Sequence, residues 1–254
     1  MPSALALSPH LDDAAFSCGG TLALLARAGW RVTMATVFTA SVADPKGFAL
    51  ACQTDKGLGA DIDYMALRRD EDRAAADALG IPPPHHLPFR EAPHRGYASP
   101  PELFAEVRPG DGIVPDLIRA FGELVTATAP DLILAPQAVG GHVDHIQVVR
   151  ALEILAPETP ILWWRDFPYS IREAAPREPL AERFAAFPIE TVPYDAAAQA
   201  AKHAACAAYA SQLGFQFGGV DKLGLQLARE GGVERFRRQG ALPGDFARVL
   251  GDAG

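Results

Sequence analysis

Short apolar runs alternate with longer stretches of helical periodicity along the first two thirds of the chain, and this alternation constrains the fold most. Ala4–Leu7, Arg31–Phe38 and Ile161–Trp164 have the length and the apolar content of buried strands. Ala14–Ala28 and Met65–Leu79 have the periodicity of helices. Strands that alternate with helices of this length form βαβ units. The sequence therefore predicts an α/β fold, a Rossmann-like and mostly parallel sheet with helices on both faces.

The same pattern continues through the remainder of the chain. It predicts strands at His86–Phe89, Asp131–Ala135 and Phe187–Tyr194, and helices at Val114–Thr126, Asp144–Leu155 and Ala196–Ala210. No repeat or low-complexity linker divides the 254 residues. We therefore expect one domain over residues 1–254, with the part from about residue 184 packed on the same domain.

Two connections between these elements are unusually long. They cover Thr39–Tyr64 and Arg90–Gly112, whereas loops longer than about 12–15 residues are uncommon unless they bind something or move. In an open α/β sheet, ligands bind beyond the carboxyl ends of the strands, and the first long loop follows a strand. We expect the active site at that edge of the sheet, with its substrate preference set by these two loops.

The charge of the chain argues against nucleic acid as its main partner. The sequence has 31 Asp and Glu residues against 23 Lys and Arg residues, a net charge of −8, whereas phosphate binding needs a clustered basic surface. Three basic residues lie close together, Arg235, Arg237 and Arg238. We favour a solvated helix face over the alternative, a local basic patch.

The sequence also argues against a membrane or secreted protein. No apolar run approaches the ~20 residues of a membrane span, and no basic segment precedes the apolar N-terminus as it would in a signal peptide. The three cysteines are widely spaced and form no CxxC motif, which is typical of reduced thiols. We expect a cytoplasmic protein without a membrane span, and the sequence leaves a homo-oligomer open.

Two clusters of histidine and aspartate follow predicted strands. The first, Ser8–Asp13, comes directly after the first strand, and the second, Gly141–His145, follows the Asp131–Ala135 strand after a short connection. The carboxyl ends of neighbouring parallel strands lie at one edge of the sheet, so we expect the clusters to meet there. Imidazole nitrogens and carboxylate oxygens are zinc ligands, and these clusters therefore predict a zinc site.

The spacing within the clusters indicates which side chains converge. His10 and Asp13 are three residues apart in a strand-to-helix turn, and His142 and His145 are three residues apart at a helix start. A catalytic zinc uses three protein ligands and leaves one position for water, so four candidates are more than it needs. The spacing does not decide between His142 and His145. Asp12 should point differently from Asp13, close to the water, where a base is required.

Three further choices stay open at this level. Asp144, between the two histidines, either holds an imidazole from behind or caps the helix. His94, in the second long loop, is a candidate substrate contact. A site of two histidines and one aspartate also takes other metals, so Zn²⁺ is the predicted cofactor and Fe²⁺ or another divalent metal is the alternative in the cell.

Both clusters resemble motifs of the PIG-L/LmbE-like family of metal-dependent de-N-acetylases, which act on N-acetylglucosaminyl compounds. Ser8–Ala23 (SPHLDDAAFSCGGTLA) is similar to the PHxDD…GG…A opening of the family, and Gly141–Val148 (GHVDHIQV) is similar to its HxDH motif. The resemblance extends over residues 4–215, with weaker matches at Arg68-x-x-Glu71, Leu79-Gly80 and the Ser211-Gln212 pair that follows Lys202.

The resemblance implies a role for each residue of the two clusters. His10, Asp13 and His145 would be the zinc ligands. Asp12 would be the general base, and His142 the electrophile or general acid.

Two other positions gain meaning from the resemblance. Arg68 matches the position at which relatives hold the sugar, so it is implied to contact a substrate hydroxyl. Some relatives on thiol pathways have a tyrosine two residues before the first histidine of the second motif. This chain has Gly140 there, which argues against a thiol-pathway substrate.

The implied activity is hydrolysis of the N-acetyl amide of an N-acetylglucosamine-type sugar or conjugate, which releases acetate and a free amine. One alternative is an amidase that acts on a larger N-acyl sugar conjugate. Another is a catalytically inactive sugar-binding protein, although such a protein has no need of Asp12 beside the ligands. A nucleotide-binding domain is disfavoured because the chain lacks the G-x-G-x-x-G fingerprint.

Overall fold

A seven-stranded sheet forms the centre of the computed structural model, which describes residues 1–251. The strand order is β3-β2-β1-β4-β5-β7-β6, in which β1 to β5 are parallel and β7 is antiparallel to both of its neighbours. The strands are β1 Ser3–Ser8, β2 Arg31–Thr36, β3 His85–His86, β4 Leu132–Pro136, β5 Ile161–Trp164, β6 Ile189–Pro193 and β7 Val233–Gln239. The predicted fold class, a mostly parallel α/β sheet, is confirmed.

Helices cover both faces of this sheet. They are α1 Asp13–Arg27, α2 Gly47–Thr54, α3 Tyr64–Leu79, α4 Pro100–Leu103, α5 Val114–Thr128, α6 Val143–Leu155, α7 Tyr169–Arg172, α8 Ala181–Ala185, α9 Ala196–Ala208, α10 Ala210–Phe217, α11 Val220–Ala228 and α12 Phe246–Gly251, with a 3₁₀ turn at Ala92–Arg95. Within residues 1–251, no helix is long and apolar enough to cross a membrane.

Strand β1 is central, and its side chains alternate between two apolar clusters. Ala4 and Ala6 pack with residues of α1, α3 and α9 on one face, whereas Leu5 and Leu7 pack with residues of α5 and α6 on the other. The strand order reverses at β1, because β2 and β3 lie on one side of it and β4 and β5 on the other. In open α/β sheets, the crevice beyond the carboxyl ends at such a reversal is where ligands bind.

The interpretation of Arg235, Arg237 and Arg238 as a helix face is wrong, because these residues lie on strand β7. The side chains of Glu234 and Phe236 are buried in the sheet. A charged residue on the inward side breaks the apolar alternation that marks a strand. Its charge is matched by buried Lys202, whose Nζ lies 2.8 Å from Oε1 of Glu234.

Two other predictions about local structure are corrected. The long connections are not continuous loops, because the first contains α2 and the second contains the 3₁₀ turn and α4. The weakly marked strand predicted at His86–Phe89 is instead the two-residue β3, His85–His86. Single-turn helices and two-residue strands are held by tertiary contacts rather than by local periodicity, so the sequence pattern does not reveal them.

Helix α1 bends at Cys18 and thereby exposes backbone donors to a buried carboxylate. The N–H of Gly20 donates to Oε1 of Glu234 at 2.8 Å, and the N–H of Thr21 donates to Oε2 at 2.7 Å. The ring of Tyr194 covers the same turn so closely that a Cβ on Gly20 would lie 2.7 Å from its Cδ1. A side chain at this position would therefore displace the ring.

Gly20→Ala should lower the free energy of unfolding by about 1–3 kcal/mol, the usual effect of forcing extra volume into a packed core. Urea denaturation measures this change. Gly214→Ala is the control, because a Cβ there meets nothing within 4 Å and alanine favours a helix such as α10 by about 1 kcal/mol. Equal stability of the two variants would contradict the packing argument.

Candidate active site

The first motif forms the turn between β1 and α1. Its backbone is fixed by Ser8, whose hydroxyl donates to the carbonyl of His10 at 2.7 Å and accepts from the N–H of Ala14 at 3.0 Å. The N–H of His10 in turn donates to Oδ2 of Asp13 at 2.8 Å. Asp12 adopts a φ of 155°, a conformation that side chains rarely adopt. This turn separates the side chains of Asp12 and Asp13, as the spacing predicts.

The second motif begins helix α6. His142 is the N-cap residue, and its Nδ1 accepts the N–H of Asp144 at 3.2 Å. Gly140 and Gly141, with φ values of 90° and 78°, bring the chain from β4 to this cap. The ring of Tyr169 packs on Gly140, where a Cβ would lie 2.7 Å from its Cγ. The missing side chain at position 140 therefore leaves room for Tyr169 beside the site.

Three donor atoms from the two motifs converge on one point. Oδ2 of Asp13 lies 3.3 Å from Nδ1 of His10 and 3.1 Å from Nε2 of His145, and the two nitrogens are 3.3 Å apart. Donors bonded to one tetrahedral zinc at about 2.0–2.1 Å lie about 3.3–3.4 Å from one another. The three atoms thus have the mutual spacing of a tetrahedral metal site.

A wider cluster contains the third histidine as well. One ring nitrogen from each of His10, His142 and His145 lies within 4.8 Å of the others, an arrangement compatible with a divalent metal. The set that includes Asp13 has shorter distances, and Nδ1 of His142 is already used by the backbone of α6. We therefore favour the set with Asp13.

Each of the two favoured histidines is held from behind by a carboxylate. Nε2 of His10 lies 2.9 Å from Oδ2 of Asp144, and Nδ1 of His145 lies 2.6 Å from Oδ1 of Asp166. Such carboxylates fix the tautomer and the orientation of metal-binding imidazoles. Oδ1 of Asp144 in turn lies 2.7 Å from Nη2 of Arg95 as an ion pair. The alternative that Asp144 caps helix α6 is wrong, since His142 occupies the cap.

The electrostatics of this cluster favour a bound cation. Burial lowers the pKa of His10, but Asp13 and Asp144 overcome this effect and raise the pKa to about 9. Burial also lowers the pKa of His145, but Asp13 and Asp166 outweigh this effect and raise the pKa well above its usual value. Surroundings that favour positive charge on two adjacent imidazoles have a strongly negative potential. A divalent cation fits both this potential and the donor set.

Asp12 lies beside this cluster in a second buried network. Burial and the neighbouring carboxylate of Asp13 raise the pKa of Asp12 to about 7, an effect that Arg68 partly offsets. Arg68 places Nη2 3.7 Å from Oδ2 of Asp12 and donates to the carbonyl of Leu11 at 2.9 Å. Its other nitrogen, Nη1, donates to Glu91 at 2.7 Å. The guanidinium group therefore orients the segment that carries Asp12.

His142 presents one nitrogen to the cavity. Burial and the neighbouring His10 hold the pKa of His142 well below its usual range, which keeps the ring neutral. Because Nδ1 accepts a backbone N–H, the proton of the neutral ring resides on Nε2. The ring of Phe104 packs edge-on against His142, with centroids 5.3 Å apart.

An open cavity of about 190 Å³ connects these groups to solvent. All the predicted site residues except His94 and His145 line it, and they are His10, Asp12, Asp13, Arg68, His142 and Asp144. His145 lies fully buried beneath the cavity floor. His94 instead lines a separate small depression beside α2 and α3, together with Val42 and Asp63. The second long connection therefore lines the cavity with residues other than His94, which are Glu91, Pro93, Pro100, Leu103 and Phe104.

Sequence reasoning missed three residues that support the site: Asp166, Arg95 and Glu91. Asp166 follows the carboxyl end of β5, so the rule that located the two histidine motifs applies to it as well. The other two lie in and just before the 3₁₀ turn of the second long connection, and no pattern in the sequence signals their partners.

Asp166→Asn should weaken metal binding by about 10–100-fold, the usual effect of losing a carboxylate behind a metal-binding histidine. A chelator-competition titration measures the dissociation constant. Asp116→Asn is the control, since that carboxylate is half exposed on α5 and, among residues 1–251, pairs only with nearby Arg119. Unchanged affinity in the Asp166 variant would show that His145 does not hold the metal.

The fold and the cluster together define the class of protein. It is an α/β protein in which histidine and carboxylate side chains, spaced as metal ligands are, lie at the carboxyl ends of the parallel strands. Residues 5–156, more than half of the chain, match the PIG-L family, described as GlcNAc-PI de-N-acetylase. The chain belongs to this family.

Individual relatives are deacetylases. The chain is 36% identical over 168 residues to the 2'-N-acetylparomamine deacetylase of Streptomyces fradiae, a match that covers 65% of this chain and 57% of that protein. The structure of the zinc-inhibited form of teicoplanin deacetylase Orf2 matches this chain with a TM-score of 0.77 and 26% identity. The match covers 93% of this chain and 98% of the Orf2 chain. The structure of the A40926 pseudoaglycone deacetylase Dbv21 matches this chain with a TM-score of 0.77 and 28% identity. The match covers 93% of this chain and 96% of the Dbv21 chain.

Proposed function

We propose that this protein hydrolyses the N-acetyl amide of an N-acetylglucosamine-type sugar or conjugate with the help of a divalent metal. The observation that carries the proposal is the triangle of donor atoms from His10, Asp13 and His145, with the carboxylate of Asp12 beside it. A protein that only binds sugars would not require three donor atoms with the spacing of metal ligands next to a buried base. The deacetylase relatives support the acetyl group as the group removed.

The metal would be held by Nδ1 of His10, Oδ2 of Asp13 and Nε2 of His145. When bound, it supplies a Lewis acid that polarises a carbonyl group and lowers the pKa of water from 15.7 towards about 7. We propose zinc as this metal, since the donor set and the spacing suit it, with Fe²⁺ as the alternative.

Asp12 would act as the general base. Its carboxylate accepts a proton from the attacking water while the oxygen of that water bonds to the acetamide carbonyl carbon. A base with a pKa near 7 is matched to this task at neutral pH, since it is available as the carboxylate and still accepts protons readily. Arg68 and the turn around Leu11 hold the carboxylate in place.

His142 would stabilise the charge that develops on the carbonyl oxygen. Its Nε2–H donates a hydrogen bond to this oxygen, and a donor preorganised in a buried site costs little reorganisation when charge appears. The C–N bond then breaks, its electron pair stays on nitrogen, and a proton from Asp12 or His142 goes to that nitrogen. The products are acetate and the free amino sugar, and both side chains return to their starting states after proton exchange with solvent.

The two predicted substrate contacts, Arg68 and His94, differ in whether they line the cavity. Arg68 lines the cavity but is nearly buried and engaged by Glu91, so a substrate hydroxyl would reach only its edge. His94 lies outside the cavity lining and would need the second long connection to move before it contacts the substrate. We place the reaction in the cytoplasm, because all three cysteines are free thiols.

The test is amine release from N-acetylglucosamine and its conjugates by protein loaded with one equivalent of zinc or iron. We expect turnover that requires the metal and stops on chelation. An N-acyl series from acetyl to octanoyl separates a deacetylase from an amidase for larger acyl groups. Binding of the sugars without release of amine at any acyl length would identify a binding protein and overturn the proposal.

A further inference from the structure

One wall of the cavity is apolar and lies mostly outside the hydrophobic core. It consists of Phe48 on α2, Leu103 and Phe104 at α4, and Phe215 on α10. We call these four residues the apolar wall. Three of them, the phenylalanines, belong to none of the hydrophobic clusters formed by residues 1–251. The faces of these rings that line the cavity are therefore available to a ligand.

Phe215 is the most exposed member of this wall. Its side chain is 68% exposed, and it is the only aromatic residue among the strongly exposed large apolar side chains in the described part of the chain. Nζ of Lys56 lies 5.6 Å from the centre of its ring. An aromatic ring held in this way at a cavity mouth offers a flat apolar surface to a ligand.

Away from the histidine cluster and Asp12, the charges along the cavity cancel. Four charged side chains line this part, two acidic and two basic, and they are Asp55, Glu91, Lys56 and Arg68. Glu91 is already paired with Arg68 at 2.7 Å. In this part of the cavity no excess of negative charge is left to select a cationic ligand, so the apolar wall suits an uncharged group.

We propose that the substrate is an amino-sugar conjugate whose aglycone is uncharged and apolar and packs on the apolar wall. This inference rests on the proposed function, which places the acetyl group at His10, Asp13 and His145. With the acetyl group there, we assign the apolar wall to the group attached to the sugar. The wall would thus select the aglycone, while the histidine cluster acts on the amide.

The test compares N-acetylglucosamine with its phenyl glycoside as substrates of the metal-loaded protein. Burying one phenyl group on an apolar surface should raise kcat/KM by about tenfold or more. Phe215→Ala should lower kcat/KM for the phenyl glycoside about tenfold and reduce the preference accordingly. Leu225→Ala is the matched control, because Leu225 is 70% exposed on α11 and does not line the cavity, and both values should stay unchanged.

Three results would overturn the inference: equal kcat/KM for the two sugars, a preference that survives Phe215→Ala, or a stronger preference for N-acetylparomamine or for N-octanoylglucosamine. Failure of the proposed function is a different result, in which no N-acyl sugar releases amine. In that case calorimetry decides, since the inference still requires the phenyl glycoside to bind about tenfold more tightly than N-acetylglucosamine, and equal affinities would refute it.

Discussion

Asp12→Asn should leave metal binding intact and reduce kcat for amine release by about 10²–10⁴-fold, the range for loss of a positioned acid or base. Asparagine keeps the shape of the side chain and tolerates unusual backbone conformations better than alanine, which matters at a φ of 155°. It has no carboxylate to accept the proton of water. Metal content by mass spectrometry and single-substrate kinetics on the same preparation measure both properties.

The control for this experiment is Asp70→Asn, an exposed position on α3 whose ion-pair partner in the described part of the chain is Arg73 alone. It should leave both the metal content and kcat at wild-type levels. If the Asp12 variant turns over substrate like the wild type, Asp12 is not the base. If it loses its metal, Asp12 is a ligand rather than a base, and the choice of Asp13 must be revised.

His145→Ala should abolish retention of the metal and with it all amine release. The variant removes one of the three proposed ligands, which costs more than the about 10–100-fold expected when only a supporting carboxylate is lost. We expect about one metal ion per chain in the wild type after dialysis and a content near zero in the variant. Mass spectrometry of the purified proteins gives this ratio directly.

His145 is fully buried, so loss of structure must be separated from loss of metal. Circular dichroism of the variant and a second variant, His145→Gln, which retains a polar group facing Asp166, make this separation. His203→Ala, at an exposed histidine on α9, is the control and should keep its metal. Full metal content in folded His145→Ala protein would leave His142 as the third ligand of the cluster.

Both histidine motifs could be placed from sequence because their position depends on a general property of parallel sheets. Residues that follow β1 and β4 must lie at one edge, whatever the helices between them do. The arrangement of Asp12 and Asp13 on different sides of the turn also followed from adjacency alone. The same rule, applied to β5, would have located Asp166.

Other parts of the site depend on contacts that no local pattern encodes. Arg95 supports Asp144 from a connection of irregular structure, and Glu91 pairs with Arg68 from the same connection. The sequence pattern did not predict strand β7, because its inward-facing residue Glu234 is charged. That charge is neutralised by Lys202, which lies far away in sequence. In each case a buried charge is stabilised by a distant partner, and sequence periodicity carries no information about that partner.

The two imidazoles and the carboxylates behind them come from three strand ends, those of β1, β4 and β5. The donor triangle therefore exists only after β1 and β4 have paired, and its support by Asp166 also requires β5, so an unfolded chain has no comparable affinity for a metal. Occupancy by the metal then favours the completed sheet by mass action, so the ion contributes to folding as well as to chemistry. The supply of metal would in this way affect the lifetime of the folded protein as well as its turnover rate.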